Sequence, residues 1–212
     1  MILNNSPSYR KYMIHDILEK IKRFVLDPVS AFRKARDDDA VPVMSYFFIL
    51  LVFFSILSGL VSAMGVMKNP IPYMIKSDLV ASDPLVTFIV VFFAVLIAYL
   101  FFVLIWGLWL HLWTYVVGGR KGVLSTEKSV VYASTPYLLI GWIPVIGPVI
   151  GLIWSIILQV IGLRELHEIT TTKAVLAMGL AVVIILIVMS ILIGWLLIAT
   201  ISGVPVSSIG PY

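Results

Sequence analysis

Beyond the first 42 residues, polar side chains are few, and they recur toward one side of long apolar runs. His111, Thr114 and Tyr115 close one run. Tyr132, Ser134, Thr135 and Tyr137 lie in the next. Gln159 lies in a third, followed at once by Arg164, Glu165, His167 and Glu168, and Lys173 precedes the last run. A polar group held at membrane depth is costly, so such groups mark where a membrane protein works. His111, Tyr115, Tyr132, Thr135, Tyr137, Gln159, Arg164, Glu165, His167 and Lys173 are therefore expected to form one polar cluster, a site for lipid or for a partner.

Imidazole and carboxylate suit divalent ions, which makes His111, His167, Glu165 and Glu168 the candidate metal ligands. No HExxH or comparable spacing supports a metal. In the alternative, the histidines hydrogen-bond to neighbouring helices, to Tyr132 or to Gln159. Arg164 and Lys173 are suited to lipid phosphate. The GGRKG loop at 118–122 resembles a phosphate cradle only at first sight. GxxxxGK followed by Ser or Thr is absent, and no strand precedes it. Its glycines are expected to stop a long helix. There is no GxSxG, no nucleotide fingerprint and no carboxylate pair inside an apolar run. Neither enzymatic activity nor a cofactor is expected. Cysteine is absent, which excludes disulfides, thiolate catalysis and cysteine zinc sites.

The elements that position these groups must be membrane helices. Of the 212 residues, 61% are hydrophobic and 12% charged. Soluble domains are typically about 45–50% apolar and about 25% charged. An acyl core about 30 Å thick takes about 20 apolar residues per helix, and several stretches reach that length. The fold class expected is all-α, a polytopic bundle with five membrane segments at about 43–67, 84–117, 128–142, 146–163 and 174–201. The second exceeds 30 residues, so it must tilt or project from the bilayer. The third is short for a span. The IPVIGP turn between the third and fourth could also serve a re-entrant hairpin, which charge counting cannot distinguish, but the fourth segment is long enough to cross.

Residues 1–42 read as a cytoplasmic N-terminal region. Ile14, Ile17, Leu18, Ile21 and Val25 recur at spacings of three and four, opposite Lys11, Asp16, Glu19, Lys20, Lys22 and Arg23. This predicts an amphipathic helix that either lies in the headgroup layer or packs on the protein's own surface. Asp27-Pro28 predicts the start of a second helix, ending near Asp37-Asp38-Asp39, a triplet expected to be a solvated loop. No signal-peptide core is present, so the first span is expected to act as an uncleaved anchor.

Orientation follows from Lys and Arg. Eight lie in the N-terminal region, three at 118–128 and two at 164–173, so 13 of the 15 share one side. The positive-inside rule makes that side cytoplasmic. The uncharged tail, 202–212, is then non-cytoplasmic, in a multi-pass protein of the cell membrane. The net charge of +4 is thereby explained by the membrane, with no nucleic-acid partner. Ser55, Gly59 and Ala63, and likewise Gly147, Gly151 and Ser155, form small-residue faces that let helices approach closely. They suit packing within one chain and also allow a homo-oligomer.

The succession GGRKG, VVYASTPYLLI, IPVIGPVIGLIW and GLRELHEITTTKA resembles the Yip family of integral membrane proteins (Ypt-interacting proteins), in a prokaryotic-type member. The matching residues are Tyr132, Ala133, Pro136, Pro144, Trp154, Gly162, His167, Lys173 and Ala174, and VLDPVSAF at 25–32 is similar to the entry of prokaryotic members. The resemblance covers roughly residues 24–195. It implies five spans and a cytoplasmic N-terminus. Eukaryotic members bind prenylated Rab-type GTPases, through a chain whose long N-terminal region is not matched here. Two functions follow as expectations. One is a non-enzymatic scaffold that engages membrane lipids, or a protein partner through its N-terminal region. The alternative is a transporter or channel for a small solute or ion with a cytoplasm-facing polar site.

Overall fold

The structure, a computed structural model, describes residues 7–66 and 83–201, with side chains from Asp16 onward in the first stretch. The expected end of the first span at Met67, the 68–82 connection, the tail and the outer part of the N-terminal stripe lie outside the described residues.

Helix α1 spans Pro7–Leu26 and α2 spans Pro28–Lys34, followed by a 3-10 turn at Ala35–Asp37. Asp27 caps α2 as its sequence predicts, accepting from the Ser30 backbone N–H, with Pro28 in the first turn. The long helices are α3 (Ala40–Ala63), α4 (Pro84–Val116), α7 (Ile146–His167) and α8 (Thr171–Ile201). These four are long and apolar enough to cross a membrane. Between α4 and α7 lie two short helices, α5 (Val123–Ala133) and α6 (Thr135–Ile140). The expected third segment is thus two helices, beginning five residues earlier than its apolar run. Its break has a local cause. Pro136 has no N–H to donate, and its ring crowds the carbonyl one turn back. That carbonyl, on Tyr132, accepts instead from Thr135 Oγ1 at 2.7 Å.

α4 is 33 residues long, about 50 Å at ~1.5 Å per residue. It starts on Asp83, which accepts from the N–H groups of Leu85 and Val86. It stops at Gly118, whose φ of 103° is costly for any residue with a Cβ. The GGRKG glycines therefore end the helix, as their sequence implies. α5 and α6 fold back along α7, and α3 and α4 pack together beside them.

Both small-residue faces are used inside the chain. A Cβ on Gly59 would stand 2.9 Å from the Phe88 ring, and one on Gly147 only 2.0 Å from the Ile140 carbonyl oxygen. Large apolar side chains cover the outside, among them Phe93, Ile97, Phe101 and Ile105 on α4 and Ile191, Leu192, Trp195 and Leu196 on α8. Helices apolar on their outer faces need a lipid solvent.

α1 splits its apolar residues between two directions. Phe24 is 1% exposed and stacks on Tyr132 with ring centroids 4.3 Å apart. Ile17 and Ile21 pack beside it. Leu18 and Leu26 point outward, at 60% and 70% exposure. One face of the helix is therefore packed on the protein, and the other is left open.

Candidate functional site

The charged end of the bundle is built from α1, α2, the start of α5 and the end of α7. Three hydrogen-bonded groups occupy it. In the first, Thr126 Oγ1 lies 2.8 Å from His111 Nδ1 and 2.9 Å from His167 Nε2. One hydroxyl donates a single proton, so one histidine must accept from Thr126 and the other donate to it. Thr126, which is fully buried, bridges α4 and α7 at this end. Beside it Glu127, 7% exposed, packs its carboxylate onto Gly107, where a Cβ would meet it at 2.3 Å. Glu127 Oε2 and His167 Nδ1 have no hydrogen-bond partner among the described residues.

The second group centres on Glu165, 7% exposed. Its Oε2 accepts from Arg33 Nε at 2.9 Å, and its Oε1 from Arg164 Nε and Nη2 at 2.9 and 2.6 Å. Arg36 Nε donates to its backbone carbonyl at 2.9 Å. Arg36 also reaches Glu168 at 3.3 Å, and Lys121 meets the other Glu168 oxygen at 2.7 Å. The hydrogen bond and charge of Lys121 hold the Glu168 carboxyl below its ordinary range. This network fastens α2 to the end of α7.

In the third group, Tyr132 donates its hydroxyl proton to Asp38. Lys20 bonds the same carboxylate at 2.7 Å and sits 4.9 Å above the Tyr132 ring, a cation–π distance. Burial pushes the Asp38 carboxyl up, but the bonds from Lys20 and Tyr132 outweigh it, leaving the group below the usual carboxylate range. Asp38 is therefore no solvated loop residue. It ties α1 to α5, while Asp37 and Asp39 stay exposed.

The expected single cluster thus resolves into parts. His111 and His167 converge through Thr126. Glu165 and Arg164 join the arginines of α2, and Tyr132 joins α1. Thr135 bonds Tyr46 at 3.0 Å, deeper in the bundle. Tyr137 is deeper still, stacked with Tyr99 at 5.9 Å. Gln159 accepts from Trp106 Nε1 at 3.3 Å. Tyr115 and Lys173 lie on the surface, Tyr115 beneath the Arg120 guanidinium at 3.7 Å. The metal candidates do not meet: Glu165 and Glu168 turn to arginine and lysine, and no group of three His, Asp or Glu converges among the described residues. Sequence reasoning missed Thr126, Glu127, Arg33, Arg36, Lys20 and Asp38 as members. Arg33 on α2 and Arg36 in the turn after it, three apart, carry the one readable signal.

Long helices with apolar outer faces and charge gathered at one end define an integral membrane protein of the helical-bundle class. The family model described as the Yip1 domain matches residues 22–204. The chain belongs to the Yip family. No curated protein and no solved structure matches it.

Proposed function

We propose that this protein is a non-enzymatic scaffold of five membrane segments whose cytoplasmic cap engages anionic lipid headgroups and so organises or shapes the membrane. The observation that carries this reading is the division of labour at the charged end. Its buried polar groups hold α1 and α2 against the bundle, while Lys22, Arg23, Arg33, Lys34, Arg120, Lys121 and Lys173 remain exposed around them. With Leu18 and Leu26 also outward, α1 offers the mixed apolar and basic face that suits the headgroup layer. A transporter gains no comparable support, because below the cap the helices pack with mainly apolar residues.

The reading is tested on the full chain in liposomes. Each basic residue near an anionic surface contributes about 1 kcal/mol, so reversing three charges should matter. The triple variant Lys22→Glu, Arg23→Glu, Lys34→Glu should lower the enrichment of a fluorescent phosphatidylglycerol around the protein several-fold and weaken the change in vesicle shape. Equal enrichment and equal vesicle shape with parent and variant would sink the proposal.

The topology has its own test. α7 has 22 residues, about 33 Å of helix, enough for an acyl core of about 30 Å. The turn before it carries no charge, and Ile146 is 63% exposed. Five crossings put this turn on the side opposite the N-terminus. Since the chain has no cysteine, a single introduced thiol reports cleanly. Ile146→Cys should react with an impermeant maleimide added to intact cells, and Lys121→Cys only after permeabilisation. Protection of both thiols until permeabilisation would instead favour a re-entrant hairpin.

A further inference from the structure

Below the cap, a cavity of about 520 Å³ lies between α4, the α5–α6 break, α7 and α8. That volume falls within the about 300–1,000 Å³ of small-molecule sites. Its walls are mostly apolar, but two polar groups of α7 enter it. Gln159, 7% exposed, accepts at Oε1 from Trp106 Nε1. An indole N–H can only donate, which fixes which end of the amide is oxygen. The amide nitrogen, Nε2, is buried and has no hydrogen-bond partner among the described residues. Four residues earlier on the same helix face, Ser155 Oγ also lines the cavity, buried and without a hydrogen-bond partner among the described residues. Two buried groups able to donate on one wall call for an acceptor on the occupant.

The cavity opens sideways. Phe102, Leu152 and Ile185 line it and are 55%, 53% and 38% exposed, so its mouth joins the apolar belt and not the charged end. An occupant therefore arrives through the bilayer. Gln159 lies eight residues before His167, about 12 Å below the charged end of α7. From Gln159 the cavity follows α7 to Pro148, about 16 Å further into the membrane. A hydrogen-bond acceptor just beneath the headgroup level, leading into an apolar channel, is the pattern of an ester-linked acyl chain.

We infer that this cavity holds one acyl chain of a bilayer glycerolipid, with an ester carbonyl accepting from Gln159 Nε2. Ser155 supplies the second donor, and α4, α7 and α8 enclose the chain. The site is separate from the basic cap and does not depend on the headgroup reading.

The test uses the full-length protein reconstituted with phosphatidylcholine carrying a diazirine on its acyl chain. The zwitterionic headgroup keeps the outcome independent of anionic-lipid binding. After photolysis, peptide mass spectrometry should place saturable labelling on the Leu152–Ile156 stretch and near Val182, displaced by unlabelled phosphatidylcholine. Labelling of Ile191–Ile198 should not saturate. Ser155→Phe, which fills the cavity from its wall, should abolish the saturable part. Gln159→Leu, which keeps the bulk but removes the donor, should reduce it about threefold to tenfold. If Ser155→Phe does not fold, the Gln159→Leu and competitor arms still decide. Non-saturable labelling throughout, or labelling indifferent to Gln159→Leu, overturns the inference. Hexadecane competing as well as the ester lipid overturns the carbonyl contact.

Discussion

Replacing Gly162 by valine should detach the N-terminal helices from the bundle. Gly162 sits where α2, α5 and α7 meet, and a Cβ there would lie 2.5 Å from Ser129 Oγ and 2.8 Å from the Phe32 ring. Neither neighbour can yield cheaply. Both are fully buried, Ser129 is bonded to the Gln159 carbonyl at 3.1 Å, and Phe32 is wedged edge-on against Phe24 at 5.0 Å. Overpacking costs about 1–3 kcal/mol for a small excess, whereas Gly→Ala in a helix returns about 1 kcal/mol of propensity. Alanine is therefore an ambiguous probe. Valine adds two more methyl groups and recovers less propensity, so it should cost at least about 3 kcal/mol. The expected readout is a lower melting temperature in detergent and faster tryptic cleavage at Lys20, Lys22 and Arg23. Phe32→Leu removes the ring atoms that clash and should recover part of the loss, a non-additivity expected only of residues in contact. A Gly162→Val protein that melts and resists trypsin like the parent would refute this account of the joint.

That joint also marks what could be read in the sequence and what could not. The apolar runs identified the long helices, because lipid imposes one length and one solvent on each of them. Asp27-Pro28 and Gly118 gave helix ends for local reasons of capping and positive φ. Phe24 was invisible as a core residue, since it stands just outside the stripe formed by Ile14, Ile17, Leu18, Ile21 and Val25. Only the tertiary arrangement puts it on Tyr132. The polar cluster was legible as a neighbourhood but not as a set of bonds. Arg33 and Glu165 are 132 positions apart, and no local spacing encodes their meeting. A threonine at a helix start reads as ordinary, although here the hydroxyl of Thr126 links two histidines. Ser155 shares a small-residue face with Gly147 and Gly151, which do pack, against Ile140 and Tyr137. The serine itself faces the cavity.

Neutralising Glu165 should destabilise the protein while leaving its basic surface more available. Glu165→Gln keeps the side-chain volume but removes the charge that Arg33, Arg164 and Arg36 share, at 2.9, 2.6 and 3.6 Å. Breaking a fully buried pair costs about 3–5 kcal/mol. Here the carboxylate is buried but Arg33 is 63% exposed, so water can take back part of the positive charge, and about 2–3 kcal/mol is expected. Glu168→Gln is the control. Its carboxylate is 48% exposed, and exposed pairs contribute about 0–1 kcal/mol. Salt separates the two, because screening acts over about 8 Å at physiological ionic strength and mainly on exposed charges. The Glu168→Gln effect should vanish in high salt, and the Glu165→Gln effect should persist. The two candidate roles of the arginines then give opposite results in liposomes. If Arg33 and Arg36 only fasten α2 to α7, Glu165→Gln lowers the melting temperature and leaves anionic-lipid enrichment unchanged. If they also belong to the headgroup-binding surface, removing the carboxylate that competes with lipid phosphate for them raises that enrichment as stability falls. The second outcome extends the proposed headgroup surface to Arg33 and Arg36; the first confines it to the remaining exposed cations.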